Sequence, residues 1–153
     1  MSPSARGWIR ALALAALVLV VDQATKAIVS SALAPGERVD LVLGFQLADV
    51  RNTGIAFGLL ADGQGVVIAV TAAALALILA YFALNPGRPG LWVGVGLLVG
   101  GAVGNLADRV RADEVTDFLD PPLWPAFNVA DIAIVTGILL IVLVHLPRDP
   151  GPT

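Results

Sequence analysis

Two aspartates at the borders of apolar segments are the residues that could carry out acid–base chemistry together. Asp117 lies within the segment Val115–Leu119, and Asp131 opens the last apolar run of the chain. A carboxylate near hydrocarbon costs at least ~2.5 kcal/mol, so such residues tend to be kept for a function. The thirteen residues between the two are enough to fold the carboxylates together. Neighbouring carboxylates can share one proton, which predicts general acid and general base catalysis.

Asn128 and Asp131 also have a purely structural interpretation. Asn128 is a favourable N-cap residue for a helix, and Asp131 would then lie in the first turn. The helix dipole favours a carboxylate there by about 0.3–1 kcal/mol. Capping could therefore account for both residues, but it does not account for Asp117, which has no adjacent basic residue.

Two further groups of polar residues interrupt apolar sequence. Asp22 and Lys26 are spaced i,i+4, which predicts either a self-contained helical ion pair or a part in holding an active site. Asn105 precedes Asp108 and Arg109 by one helical turn. The adjacent Asp108 and Arg109 predict a charge-neutralising pair and a structural role for Asp108.

The composition indicates a membrane protein. The chain has 153 residues, of which 58% are hydrophobic and 14% charged, with a mean hydropathy of +0.87. Soluble domains have about 45–50% apolar and about 25% charged residues. Four segments approach the length that crosses a bilayer, about 20 residues: 8–32, 64–84, 91–106 and 129–146. We predict an all-α membrane protein, one domain over residues 1–153, with four transmembrane helices.

A small extracytoplasmic β element is expected between the first two helices. Within the long connection Leu33–Gly63, the segments Arg38–Leu43 and Phe45–Val50 have partly alternating patterns that are typical of strands. Ile55–Leu60 is apolar but too short to span, so an interfacial position is expected. In the third span, Gly96, Gly100 and Gly104 share one helix face, which predicts close helix packing.

Several kinds of site are disfavoured by the residue types present. The chain has no cysteine and one histidine, His145, so thiol nucleophiles, Fe–S clusters and histidine-based metal sites are not expected. We expect no metal and no cofactor. The formal charge of −3 argues against nucleic acid as a partner.

Arginines before the first span predict its orientation. Arg6 and Arg10 flank that span directly, which places both termini in the cytoplasm and the two aspartates near the outer face. The N-terminal segment also resembles a signal peptide with a cleavage site at Ala32–Ala34. That site lies eleven residues past the apolar run ending at Val21, so we expect the span to be retained.

Taken together, five blocks of this sequence resemble the lipoprotein signal peptidases, the signal peptidase II family of bacterial membrane aspartyl proteases. The matching blocks, in order, are Asp22–Lys26, Asn52–Phe57, Gly104–Arg109, Val115–Phe118 and Phe127–Asp131. The resemblance covers about residues 12–145. Two departures are a short stretch between Asp117 and Phe127, and Ile55 where a smaller residue is usual.

The resemblance implies an aspartic endopeptidase that removes signal peptides from prolipoproteins, just before a diacylglyceryl-modified cysteine. It implies that Asp117 and Asp131 are catalytic, and it places the polar surround on Asp22, Asn52, Gly54, Asn105, Asp108, Arg109 and Asn128. It also implies a multi-pass protein of the bacterial inner membrane, with membrane lipids as partners, and we expect a monomer. A proton-coupled transporter, or a non-enzymatic assembly factor that uses Asp131 only as a cap, remains the alternative from the residues alone.

Overall fold

Four helices and three short strands make up the computed structural model, which describes residues 2–34, 36–54 and 63–146. In chain order the elements are α1 (Pro3–Ala32), β1 (Arg38–Asp40), β2 (Gln46–Asn52), α2 (Gly63–Leu84), α3 (Leu91–Ala112), β3 (Val115–Asp120) and α4 (Val129–His145). The interfacial segment predicted at Ile55–Leu60 lies outside the described residues.

Three of these helices are long and apolar enough to cross a membrane. They are α1 with 30 residues, α3 with 22, and residues Gln64–Leu84 of α2. The fourth predicted span forms an apolar helix of 17 residues, α4. At about 1.5 Å per residue α4 is about 25 Å long, which is close to the thickness of the hydrocarbon core.

Helix α3 lies between α1 and α4, and its glycines allow both neighbours to approach closely. A Cβ atom on Gly100 would lie 2.6 Å from the carbonyl oxygen of Ala15 in α1. A Cβ atom on Gly101 would lie 2.4 Å from the carbonyl oxygen of Ala130 in α4. The predicted glycine face is therefore confirmed as a packing surface, and α3 has a second such surface toward α4.

The apolar core lies where α2 packs against α1 and α3. Ala11, Phe82, Leu91 and Val95 are buried together, and Trp8 packs on Phe82 with ring centroids 4.7 Å apart. This core fixes the N-terminal half of α3 against α1 and α2 and leaves the other end of α3 to the sheet and to polar side chains.

The strands form one antiparallel sheet in the order β1-β2-β3. Arg38 pairs with Ala48 across β1 and β2, which confirms the predicted strand element between the first two helices. The third strand, β3, was not predicted, and it follows α3 rather than α1. Asn52 pairs with Val115 across β2 and β3, and the register shifts between Leu47 and Val50.

The sheet is held on the bundle by a second apolar cluster. Phe118 of β3 packs with Val29 and Leu33 at the C-terminal end of α1, and these three side chains are buried. Because Phe118 is adjacent to Asp117, this contact also fixes the position of the first aspartate at the end of the helical bundle.

Candidate active site

The start of α4 positions Asp131. The side chain of Asn128 accepts a hydrogen bond from the backbone N–H of Asp131 at 3.0 Å. In return, Oδ2 of Asp131 accepts one from the N–H of Asn128 at 3.1 Å. This reciprocal pair is a capping box, so the predicted capping roles of both residues are confirmed.

Asn128 also connects the two aspartates. Its side chain is fully buried, and its Nδ2 donates to Oδ1 of Asp117 at 2.7 Å. The same residue thus caps α4, receives a hydrogen bond from Asp131 and binds Asp117. The structural and the functional interpretation of Asn128 are consequently compatible.

Asp117 is an almost completely buried carboxyl group, 1% exposed, on β3. Its second oxygen, Oδ2, accepts a hydrogen bond from Nδ2 of Asn52 at 2.8 Å. The pKa of Asp117 is raised from 3.8 to about 6, because burial and, to a smaller extent, the charge of Asp131 together outweigh the lowering by the hydrogen bonds from Asn52 and Asn128. Asp117 therefore keeps its proton to an unusually high pH.

Asp131 is surrounded by groups that stabilise negative charge. Oδ1 accepts a hydrogen bond from Nδ2 of Asn105 at 2.8 Å, in addition to the bond from the N–H of Asn128. The N-terminal end of α4 favours an anion in its first turn. The two carboxylates thus occupy different environments although Asn128 touches both.

Behind the aspartates, Lys26 lies at the centre of a buried group that we call the Lys26 cluster: Asp22, Lys26, Asn105 and Asp108. The Nζ atom of Lys26 lies 2.8 Å from Oδ2 of Asp22, 2.7 Å from Oδ2 of Asp108 and 2.9 Å from Oδ1 of Asn105. The predicted pair of Asp22 and Lys26 is confirmed, and it belongs to a larger network that ends on Asn105, the donor to Asp131.

The prediction that Asp108 is neutralised by Arg109 is wrong. Asp108 forms its ion pair with Lys26 of α1, and its Oδ1 accepts a hydrogen bond from Gln23 at 2.8 Å. Consecutive residues of a helix point in different directions, so Asp108 faces α1 while Arg109 does not. Nη1 of Arg109 donates to the carbonyl oxygen of Asn105 at 3.4 Å instead.

Asp22 links α1 to the start of α4. Its Oδ1 accepts a hydrogen bond from the backbone N–H of Ala130 at 2.9 Å, one of the N–H groups that a helix start leaves unpaired. Asp22 is fully buried, and Lys26 compensates its charge. The position of α4, and with it Asp131, therefore depends on a carboxylate from another helix.

The turn after β2 holds Asn52 in place. Oδ1 of Asn52 accepts a hydrogen bond from the N–H of Gly54 at 2.8 Å, which leaves its Nδ2 directed at Asp117. Gly54 has a positive φ of 72°, and a Cβ atom there would lie 3.4 Å from Nη2 of Arg109. The structure thus brings all ten predicted site residues to one end of the bundle.

Gln23 lies within the block Asp22–Lys26 but was not predicted to be a site residue. Its Nε2 donates to Asp108, and its Oε1 accepts a hydrogen bond from Nη1 of Arg111 at 2.9 Å. The sequence feature that could have identified Gln23 is its position next to Asp22, among the polar residues that interrupt the first span.

The other acidic residues near Asp117 have separate partners. Glu114 lies 3.6 Å from Nη1 of Arg51, and Asp120 pairs with Arg38. Within residues 2–34, 36–54 and 63–146, no group of three or more His, Asp or Glu side chains could hold a metal ion. His145 contacts Tyr81 near the C-terminal end of α4, at the opposite end of that helix from Asp131.

The sequence is similar to known proteins over most of its length. The sequence model of the family described as Signal peptidase (SPase) II matches residues 14–146. The lipoprotein signal peptidase of Pelotomaculum thermopropionicum is 48% identical over 128 residues, covering 82% of this chain and 84% of that protein. That of Moorella thermoacetica is 44% identical over 132 residues, covering 85% and 88%.

Solved structures are similar over nearly the whole chain. One bacterial membrane enzyme, determined by the in meso method, superposes with a TM-score of 0.79 at 29% identity, covering 91% of this chain and 93% of the other. A second gives a TM-score of 0.80 at 26% identity, covering 94% of each chain. The similarity therefore extends over more than nine tenths of the chain.

Proposed function

Because the chain belongs to the signal peptidase II family, we propose that Asp117 and Asp131 are its catalytic pair. Membership supports a peptidase that cleaves signal peptides from prolipoproteins. The observation that carries the proposal is the buried side chain of Asn128, which binds Asp117 and forms a capping box with Asp131. A cap alone requires no contact with Asp117.

The two environments favour different roles for the aspartates. Asp131, stabilised as an anion by the start of α4 and by Asn105, takes a proton from the water that attacks the scissile carbonyl carbon. Asp117, which burial keeps protonated, polarises the carbonyl oxygen and then protonates the leaving amine as the C–N bond breaks. The pair holds one proton before and after the reaction, and no metal ion takes part.

The pH dependence of cleavage tests this assignment. Since the protonated form of Asp117 is the active one, kcat/KM is expected to fall as the pH rises through about 6. A fall as the pH decreases through the same value would exchange the two roles.

Arg109 and the two asparagines are candidates for contacts to the substrate. Nε of Arg109 is buried and has no hydrogen-bond partner among the described residues. Buried donors without a partner are costly, so a substrate carbonyl oxygen would satisfy it. Asn52 and Asn105, which already touch the carboxylates, would orient the scissile peptide.

The substrate is proposed to be a prolipoprotein whose cysteine carries diacylglyceryl. A scissile bond at the bilayer surface must be held there, and acyl chains contribute about 0.8 kcal/mol per buried CH₂ group. Asp131 lies at the first turn of an apolar helix, so lipid chains lying beside α4 would bring the neighbouring peptide to the aspartates.

The chain is proposed to be a monomeric, single-domain, multi-pass protein of the bacterial inner membrane, with α4 as its fourth span. Both termini face the cytoplasm, because Arg6, Arg10 and Arg88 lie at the end of the bundle opposite to the aspartates. The active site then lies near the outer face.

A cleavage assay with purified protein in detergent tests the catalytic proposal. Asp117→Asn and Asp131→Asn should each reduce cleavage of a diacylglyceryl precursor by at least about 10³-fold, since Asn cannot exchange the proton. Asp113→Asn is the matched control, because Asp113 is exposed and its left-handed backbone also suits Asn. Near-normal cleavage by either variant would refute the pair.

The same assay tests the other parts of the proposal. Activity should survive EDTA, and the unmodified precursor should remain uncut. Restoration of EDTA-treated enzyme by magnesium or calcium would contradict metal-free catalysis, and equal cleavage of both precursors would contradict lipid recognition. A pure, folded protein without any cleavage would favour the assembly factor.

Labelling of introduced cysteines tests the orientation, since the chain has no cysteine of its own. An impermeant reagent should label Gly36→Cys from outside the cell and should leave Gly87→Cys unlabelled. The reverse pattern would overturn the topology.

A further inference from the structure

A cationic cavity lies at the end of the bundle that is distant from the aspartates. It has a volume of about 370 Å³ and is formed by the first turns of α1, the α2–α3 turn and the start of α3. Arg6 and Arg10 of α1 line it, as does Arg88 of the turn. Along α1, the twelve residues from Arg10 to Asp22 correspond to about 18 Å, so this cavity is separate from the active site.

The three arginines line the cavity and have no acidic partner in the described part of the chain. None of them takes part in the ion pairs of these residues. Arg88 is fixed by a hydrogen bond from its Nη2 to the carbonyl oxygen of Val144, 3.0 Å away. The guanidinium of Arg10 lies 5.8 Å from the centre of the Trp92 ring.

Close packing maintains the shape of the cavity. A Cβ atom on Gly7 would lie 2.6 Å from the carbonyl oxygen of Pro86, so α1 and the α2–α3 turn are in backbone contact at the edge of the cavity. Arginines that only set the orientation of the chain need no such convergence. Three guanidinium groups around one concave space match the chemistry of a phosphate group.

We propose that this cavity binds the phosphate headgroup of an anionic membrane lipid. The cavity lies at the ends of apolar helices, where lipid headgroups are found, and Trp92 is typical of that depth. An apolar crevice between α1, α2 and α3, lined by Trp8, Leu12, Leu79 and Val99, lies farther along the same helices. Because the volume of this crevice is only about 10 Å³, an acyl chain of the bound lipid would lie along the outer surface of these helices and not inside the crevice.

The test measures lipid binding to the purified full-length chain in detergent by native mass spectrometry. Dioleoyl phosphatidylglycerol should bind at least ten times more tightly than dioleoyl phosphatidylcholine. Gly87→Glu, which places a carboxylate beside the cavity at a position with open space, should weaken binding at least tenfold. Gly65→Glu is the matched control, since Gly65 also faces open space but lies at the start of α2, and its affinity should change less than twofold.

A second variant distinguishes binding that depends on the geometry of the arginines from binding that depends only on positive charge. Arg6→Lys combined with Arg10→Lys keeps the charge but removes the planar donor forks, and should weaken phosphatidylglycerol binding at least threefold. Equal binding of both lipids, or equal losses in Gly87→Glu and Gly65→Glu, would overturn the proposal. Displacement by millimolar inorganic phosphate would reassign the cavity to a free anion. These outcomes do not depend on catalysis or on orientation in the cell.

Discussion

The two ends of α3 pack against the same helices, α1 and α4, by different chemistry. At the apolar end, Gly100 meets the backbone of Ala15 and the side chain of Val18. At the polar end, one turn later, Gly104 meets the carboxylate of Asp22, with 2.6 Å between Asp22 Oδ2 and the position of an added Cβ. The first contact is fixed by shape, whereas the second is fixed by hydrogen bonds and charge.

The difference shows what each end contributes. The apolar end sets the distance between helices, because backbone atoms in contact cannot shift without moving a helix. The polar end sets the direction of single side chains, since Asp22, Lys26 and Asn105 each use their polar atoms on partners from another element. Four predictions test this separation, from the largest expected effect to the smallest.

Removing the central cation should be the most damaging change at the polar end. Lys26→Met leaves Asp22 and Asp108 without their buried partner, and breaking such an ion pair costs about 3–5 kcal/mol. Arg38→Gln, which removes the exposed partner of Asp120, should cost at most about 1 kcal/mol. Unfolding in detergent should show this order, and similar losses would mean that the Lys26 cluster is dispensable for stability.

The pH dependence of stability should reveal the buried carboxyl group of the polar end. The folded-state pKa of Asp117, about 6, lies above the unfolded value of 3.8, so the folded state binds more protons between these values. The stability of the wild type should therefore fall relative to that of Asp117→Asn as the pH rises from about 4 to 6, by at most about 3 kcal/mol. Above about pH 6 the difference between the two proteins should remain constant.

Thermal unfolding at several pH values would measure that difference. Asp113→Asn should track the wild type throughout. A difference between wild type and Asp117→Asn that is constant from pH 4 to 7 would contradict the raised pKa.

Alanine at two glycines of the same face should separate stability from activity. Gly100→Ala forces a Cβ against a carbonyl oxygen and should cost about 1–3 kcal/mol. Gly104→Ala displaces only the end of the Asp22 side chain, so this variant should be more stable than Gly100→Ala. It should nevertheless lose more cleavage activity, because Asp22 positions the start of α4. If both variants lose stability and activity in the same proportion, the two ends do not act separately.

Variants of Asn128 should separate its role as the helix cap of α4 from its role in cleavage. Serine keeps an oxygen that accepts the N–H of Asp131 but lacks the amide donor to Asp117. Asn128→Ser should therefore keep the cap but lose about 1–3 kcal/mol of stability, because a buried oxygen of Asp117 is left without its donor, and its cleavage should fall at least tenfold. Asn128→Ala should lose a further ~1 kcal/mol of stability, and an active, stable serine variant would show that the contact to Asp117 is unimportant.

Features that depend on neighbouring residues in the chain were predicted from the sequence. The cap at Asn128, the pair of Asp22 and Lys26, the glycine face and the two strands before α2 are all local patterns. That the site residues come together was predicted from the resemblance of the five sequence blocks to a known family. Local spacing could not predict it, because these residues belong to separate elements.

The errors concern contacts between distant segments. The partner of Asp108 is Lys26, and a helix sequence shows only which residues are adjacent, not which helix faces them. Strand β3 was missed because its six residues acquire their pairing from β2, far earlier in the chain. Strand propensity depends strongly on such context, so the segment itself gave little signal.

The route of the chain through the sheet has a consequence for biogenesis. Strand β2 ends before α2 and strand β3 begins after α3, so the helical hairpin of α2 and α3 lies between two paired strands. Asp117 therefore meets Asn52 only after that hairpin has returned the chain to the end of the bundle where β2 lies. The candidate active site is complete only once α4 has begun, because Asn128 at the start of α4 supplies the second hydrogen bond to Asp117.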